Sequence, residues 1–410
     1  MHLREFIPTT AVDVCLPACF ACGGLSSIPF FEMSDTPTNR VTLRRTREAA
    51  LACTTGSIDL VFCESCGVIR NVAFDASRVD YDAAYDNSLH FSPTFLKYSN
   101  DLARYLINRY DLHEKSVMEI GCGKGSFLSE ICVLGNNCGT GFDPTYVPGT
   151  ASLDAGQRLA IVPDYYTAKY SQYSAHFVIC RQVLEHIPDP RPLLDCVRKA
   201  VANTSNGAVF FEVPNAAHIF RKRSFWDVLY EHCLYYSPGA LANLFSSCGF
   251  DVQCVSESFG GQYVCLEARP RSERVGPIHV AGTDLNALRR AAHSFSKAFQ
   301  QHLASWRTVL NRFEIEGKRV VLWGAGTKGT LFLNSFSDIS SLEFIVDVNP
   351  NKWGLYIPGS GQQVISPDSL KGYQPDVVLI MNPNYYQEIS TQLNSMGLAP
   401  KLLVTTSASI

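Results

Sequence analysis

The run Val117-Met118-Glu119-Ile120-Gly121-Cys122-Gly123-Lys124-Gly125 sets an acid and a glycine turn directly behind an apolar strand and ahead of a helix. Glycines at such a place let the backbone pass close to a ligand at the helix N-terminus. A pyrophosphate-binding turn is spaced Gly-x-Gly-x-x-Gly, whereas Gly121, Gly123 and Gly125 are spaced Gly-x-Gly-x-Gly, with Glu119 facing the same mouth. A carboxylate repels pyrophosphate but stabilises a sulfonium or an ammonium, so S-adenosylmethionine is the expected ligand. Asp143, at the end of the next strand, is placed to accept both ribose hydroxyls. Asp164, behind the third strand, is placed to reach the adenine amino group.

A second chemistry lies near the start. Cys19-Phe20-Ala21-Cys22-Gly23 and Cys63-Glu64-Ser65-Cys66-Gly67 are two Cys-x-x-Cys turns, each followed by glycine. Four thiolates from two such turns make a closed tetrahedral site for structural zinc, with no position left open for a substrate. Neither pair opens a helix behind a strand, as a thioredoxin-like redox motif would. Cys15 and Cys53 break the spacing and are read as bystanders. Cys132, Cys180, Cys254 and Cys265 sit in apolar runs, where a reduced thiol behaves as a small hydrophobe.

A second glycine turn, Gly324-Ala325-Gly326-Thr327-Lys328-Gly329, follows the strand Arg319 to Trp323, with Asp347 where a ribose-binding acid belongs. Taken alone, the turn suggests binding of NAD or NADP, and a purely architectural fold is also open to it.

These motifs need strands and helices to hold them. Residues 1–80 are turn-rich and are read as an irregular zinc-binding domain. Residues 81–270 alternate β-branched runs with helical stretches, the mark of a parallel sheet wrapped by helices. The strands expected there are Ser116 to Ile120, Gly139 to Phe142, Leu159 to Val162, His176 to Cys180 and Ala208 to Val213. A hairpin from Phe250 to Ser258 and Gln262 to Ala268 turns at Gly260-Gly261 and closes them. This order is that of a class I, seven-stranded, Rossmann-like methyltransferase sheet in an α/β chain. Apolar residues from Leu285 to Phe313 recur at three- and four-residue steps, predicting one long amphipathic helix within a linker spanning 271–315. Residues 316–410 form a small C-terminal Rossmann-like α/β domain, with strands at Arg319 to Trp323, Phe344 to Val346 and Val377 to Met381.

Composition narrows the partners. With 410 residues, two or three domains are expected, and three are adopted. A net charge of -3 lacks the basic field that a dedicated nucleic-acid binder needs. The opening residues Met1 to Thr10 lack the apolar stretch of a signal peptide, and no run approaches the roughly 18 apolar residues of a membrane span. A cytoplasmic protein with a small-molecule substrate, and neither nucleic acid nor membrane as partner, is the expectation.

The chain resembles, over nearly its whole length, the three-domain methyltransferases of deoxysugar biosynthesis. The likeness is carried by the two cysteine turns, Glu119-Ile120-Gly121-Cys122-Gly123, Leu184-Glu185-His186-Ile187-Pro188 and Glu231-His232 with Tyr235-Tyr236-Ser237. It extends through Trp323 to Gly329, Asp347 to Gly354 and Pro358-Gly359. The resemblance implies C-methylation beside a keto group of a nucleotide-linked sugar, with His232 as general base. It implies that Glu231 orients His232, that His186 polarises or positions the substrate oxygen, that Tyr85 stands at the substrate mouth, and that the C-terminal domain closes over the active site and contacts the substrate instead of NAD, with Lys328 placed to neutralise a phosphate. Family members carry a tyrosine two residues before the glutamate, where this chain has Leu229. Tyr230 is its nearest replacement.

Overall fold

The computed structural model describes residues 16–81, 88–149, 158–271 and 285–406. Its strands are β1 (Ser27–Pro37), β2 (Thr55–Cys63), β3 (Ile69–Asn71), β4 (Ser116–Ile120), β5 (Cys138–Phe142), β6 (Leu159–Val162), β7 (Phe177–Arg181) and β8 (Ala208–Pro214). There follow β9 (Leu234–Tyr235), β10 (Phe250–Ser258), β11 (Tyr263–Pro270), β12 (Val320–Trp323), β13 (Leu342–Val346), β14 (Gln363–Ile365), β15 (Val377–Ile380) and β16 (Lys401–Val404).

The central sheet has the order β10-β11-β8-β7-β4-β5-β6, parallel except where β11 pairs antiparallel with β8 and β10. Its first strand stands mid-sheet and the last two close it as a hairpin, which is the class I methyltransferase fold. The chain changes direction across the sheet between β4 and β7, and the crevice beyond those strand ends is where such folds bind ligands. The hydrophobic strand β7 is buried along Phe177, Val178, Ile179 and Cys180, as a central parallel strand must be. The helix Pro93–Tyr110 covers the sheet. Ser92 caps its first turn by accepting from the Phe95 amide at 3.2 Å, and proline takes the first helical position.

The C-terminal sheet, β14-β13-β12-β15-β16, is wholly parallel and also starts mid-sheet. Two of its strands, β14 and β16, were not expected. The first has three residues, and the second is a four-residue edge strand with partly exposed side chains and an apolar run of only three.

The first region is not irregular. β1, β2 and β3 form an antiparallel sheet, and Ile58, Leu60 and Phe62 alternate inward along β2. That period-two signal stands in the sequence through Asp59, but is blurred by apolar Val61 and by the polar half of β1. The fourth strand of this sheet is β9, which pairs with β3 through Ile69–Tyr235 and Arg70–Leu234. The segment that follows His232 is thereby stitched to the N-terminal sheet.

The helix Leu285–Ile315 is about 46 Å long at 1.5 Å per residue. Its apolar stripe packs on β1 through Phe31 and Phe295 (ring centroids 5.4 Å), and on the catalytic region through Phe225 and Phe299 (5.1 Å, stacked). Trp306 meets Phe332 of the C-terminal unit at 5.6 Å. Trp226, His302 and Trp306 all direct a ring nitrogen at the Thr405 carbonyl, at 3.2, 2.9 and 3.1 Å. Among the described residues no helix is long and apolar enough to cross a membrane.

Candidate active site

The glycine turn leaves β4 with Gly121 at φ 71°, where an added Cβ would fall 2.1 Å from Val183 Cγ2. Only glycine fits. Gly123, also in the left-handed region, aims its amide at Asp143 Oδ2, 2.7 Å away. The other Asp143 oxygen accepts from the Thr145 amide at 2.8 Å and hydroxyl at 2.6 Å. Asp143 thus braces the turn and retains acceptor capacity on Oδ2. Glu119 is 4% exposed, and its Oε2 has no hydrogen-bond partner. Burial pushes its carboxyl up to about 7, against the opposing pull of the Arg181 guanidinium. A buried acid with one oxygen free of partners, beside backbone donors, fits a cationic, hydroxyl-bearing ligand. Asp164 is engaged in its own loop: Oδ2 accepts from Tyr170 at 2.6 Å and Lys169 at 2.9 Å, and Oδ1 from the Tyr165 amide at 2.8 Å. The Tyr170 hydroxyl and then Lys169 hold its carboxyl down at about 2.

The histidines lie beyond β7, whose Ile179 is in register with Glu119. His186 ends the short turn Leu184–His186. Its Nδ1 is 3.0 Å from the Glu231 carbonyl oxygen and 2.8 Å from the Tyr81 hydroxyl. The ring of His232 meets it edge to face, and His232 Nδ1 is buried without a partner. Burial pushes the His186 imidazole down to about 4 and lowers His232 well below its ordinary value, with the neighbouring His186 adding to the shift. Both rings are therefore neutral at pH 7 and able to accept a proton.

The Glu231 carboxylate does not reach His232. Its Oε1 accepts from the Arg40 amide at 3.0 Å, and Oε2 is buried without a partner. Nor does Tyr230 stand in for the missing tyrosine: its hydroxyl accepts from the Asp75 amide at 3.0 Å and donates to the Asp75 carbonyl at 3.3 Å, inside the N-terminal region. The alternation of a strand-like segment sends Leu229 and Glu231 to one side and Tyr230 to the other, which sequence adjacency conceals. Tyr85 lies outside the described residues. Tyr81, four positions earlier in the same segment, contacts His186.

Glu185, in the sequence only one letter of the motif around His186, is brought to the site by the fold. It is 1% exposed with both carboxylate oxygens unpartnered, and burial pushes its carboxyl up to about 8. The His186 Nε2 atom is 4.0 Å from its Oε1. The flag available in the sequence was an acid between apolar residues, Leu184 and Ile187, in the quoted motif.

A cavity of about 220 Å³ joins this wall to the C-terminal unit. Glu185, His186, Glu231 and His232 face Gly324 and Lys328 across it. The C-terminal glycine turn is braced like the first: Asp347 Oδ2 accepts from the Ala325 amide at 2.8 Å, and Oδ1 from the Asn349 amide at 2.8 Å. Here, however, Lys352 reaches back, its Nζ 3.0 Å from the Ala325 carbonyl and 3.3 Å from Asp347 Oδ2. The place of a ribose is taken by an ammonium of the same chain. Lys328 is ion-paired with Asp227, the residue that ends the turn Phe225–Asp227 of the catalytic region. Glu388 binds the Ser92 hydroxyl at 2.6 Å and the Thr94 amide at 3.0 Å, at the N-terminus of the helix Pro93–Tyr110.

The four cysteines converge. Cys19 and Cys66 sulfurs are 3.8 Å apart and those of Cys22 and Cys63 3.6 Å, with all four within 4.8 Å of one another. A tetrahedral ion with metal–sulfur bonds of about 2.3 Å separates its ligands by about 3.8 Å. Gly23 and Gly67 have φ of 75° and 76°, as the knuckles require. Arg191 carries the module on the catalytic region through the Phe20 carbonyl at 2.9 Å and the Ala21 carbonyl.

A family model described as a methyltransferase domain matches residues 90–255, and one described as a C-methyltransferase C-terminal domain matches residues 266–403. The C-methyltransferase NovU of Streptomyces niveus is 25% identical over 355 residues, covering 81% of each chain. The ubiquinone biosynthesis O-methyltransferase of Yersinia pestis is 28% identical over 117 residues, 27% of this chain and 48% of that protein. Among solved structures, the 1,6-didemethyltoxoflavin-N1-methyltransferase of Burkholderia thailandensis is similar at a TM-score of 0.35 and 16% identity, over 44% of this chain and 82% of that one.

Proposed function

We propose that this chain, an S-adenosylmethionine-dependent methyltransferase, methylates carbon in a small-molecule acceptor of the nucleotide-linked ketosugar class, with His232 as the base. The observation that carries the reading is a neutral imidazole with an unpartnered, buried Nδ1 on the wall of the cavity that both α/β units share. S-adenosylmethionine supplies a methyl group activated on a positively charged sulfur. We assign its binding to Glu119, the turn Gly121, Gly123 and Gly125, and Asp143, with Asp164 at the adenine end. His232 removes a proton from the carbon next to the acceptor carbonyl. His186, whose Nδ1 donates to the Glu231 carbonyl, keeps Nε2 as a hydrogen-bond acceptor and positions the acceptor molecule through a hydroxyl oxygen. Cys19, Cys22, Cys63 and Cys66 hold a structural zinc ion that keeps the N-terminal sheet, and through β9 the His232 segment, in place.

O- or N-methylation is the second reading, and it needs the same base to act on a hydroxyl or amine. Hydride transfer at Gly324 is disfavoured by Lys352, which occupies Asp347. The test is methyl transfer from 13C-methyl-labelled cofactor to nucleotide-linked 4-ketosugars and to their alcohol counterparts, with the product read by NMR. A new carbon-bound methyl group that disappears in His232→Asn supports the proposal. Methyl appearing only on oxygen or nitrogen overturns carbon attack.

A further inference from the structure

Arg40 belongs to the N-terminal region, yet it is 0% exposed and meets both other units. Its guanidinium donates from Nη1 to the Val228 carbonyl at 2.6 Å and from Nη2 to the Thr36 hydroxyl at 2.5 Å. Its amide donates to Glu231 Oε1 at 3.0 Å, and its carbonyl accepts from the Thr330 hydroxyl, on the helix Thr327–Ser335, at 3.0 Å. One residue therefore grips the segment 228–231 at both ends and ties it to the helix behind the C-terminal glycine turn.

From this geometry we infer that Arg40 is a positioning residue through which the zinc-bearing region sets the geometry of the His186–His232 pair. The path is short. Arg40 fixes Val228 and the Glu231 side chain, and the Glu231 carbonyl fixes His186 Nδ1 at 3.0 Å. His232 is the next residue in the chain, and β9 continues from it into pairing with β3 of Arg40's own sheet. A charge so deeply buried is tolerated only where its partners are held, so the guanidinium reinforces the conformation it binds. The Arg40 charge also opposes the burial that raises the Glu231 carboxyl.

The inference rests on the active-site reading for its functional consequence but not for its structural one, and the experiment separates the two. Full-length, zinc-loaded Arg40→Met, Arg40→Lys, Glu231→Gln and the Arg40→Met/Glu231→Gln double variant are compared. The first readout is 15N NMR of the histidine rings, which reports the His186 tautomer without any acceptor. Wild type is expected to carry the proton on Nδ1. Arg40→Met is expected to lose that preference, and Arg40→Lys to regain part of it. The second readout is methyl transfer: kcat falls by about 100-fold in Arg40→Met, as a misplacement near 1 Å produces, while the Kd for S-adenosylmethionine stays within about twofold. The double variant is expected to be no worse than its worse parent, because both substitutions break one path. Unchanged histidine signals in a folded Arg40→Met protein overturn the inference, as does a loss of cofactor affinity in step with activity. If His232→Asn keeps its methyl transfer while the ring signals still answer to Arg40, the base assignment fails and the positioning role stands.

Discussion

His186 and His232 meet edge to face, with ring centroids 4.9 Å apart and planes inclined by 83°. Burial disfavours the charged form of both rings, and the neighbouring His186 lowers His232 further. The free-enzyme acid limb of kcat/KM is therefore expected below the ordinary imidazole range, and activity should persist as pH falls through 6.5. His232→Asn should reduce kcat by about 100- to 10,000-fold. A pH–rate profile whose acid limb sits at or above 6.5 would contradict the neutral pair.

Stability should answer to Glu185 with the opposite sign. Its folded carboxyl is raised to about 8, while an unfolded one ionises near 4.3. Between those values the native state holds a proton that the unfolded chain has lost, so Glu185 contributes stability that declines as pH rises through that window. Glu185→Gln keeps the neutral shape at every pH. Its melting temperature should match wild type at pH 4 and exceed it increasingly toward pH 8, as measured by thermal unfolding in matched buffers.

Glu119 makes cofactor affinity pH-dependent. Its carboxyl, raised to about 7 in the empty site, must ionise to hold a cation. Binding of S-adenosylmethionine should release protons below pH 7, and affinity should rise with pH through that value. Calorimetry in buffers of different ionisation enthalpy reads the released protons directly. Glu119→Gln should abolish that release and weaken binding roughly tenfold, about 1.4 kcal/mol. Release that survives the substitution assigns the proton elsewhere.

Zinc removal should be felt far from the metal. The cysteine module is held through Arg70 to the Pro17 and Ala18 carbonyls at 3.0 and 3.1 Å, and Arg70 itself pairs with Leu234 in β9. Chelation, or Cys63→Ser, should lower the melting temperature by at least about 5 °C and silence methyl transfer. Metal analysis should find one zinc per chain. A chelated protein with unchanged melting and activity refutes the structural role.

At the C-terminal turn, nicotinamide dinucleotides should give no saturable heat, because the Lys352 ammonium already occupies Asp347. Lys352→Met leaves that buried carboxylate unpaired and should destabilise the chain by about 3 kcal/mol in urea unfolding.

Local pattern was enough to read much of this molecule. The strands β4 to β8 and the hairpin β10–β11 announce themselves as apolar or alternating runs bounded by turns. The helix Leu285–Ile315 shows its stripe, and the two cysteine pairs and the glycine turns carry their spacing within a few residues. Each of these depends on neighbours in sequence, where periodicity and backbone chemistry leave a mark. What tertiary structure decided lies in contacts with no such mark. Arg40 meets Glu231 across 191 positions, Lys328 meets Asp227 across 101, and Tyr81 meets His186 across 105. Tyr230 and Glu231 are adjacent in the chain yet face opposite ways, so the tyrosine nearest to the position that Leu229 holds is turned from the cavity, where its hydroxyl meets Asp75. Burial did the rest: a carboxylate or an imidazole has the same letter in water and in a dry wall, and only the packing of both α/β units around one cavity removes the solvent that set its charge.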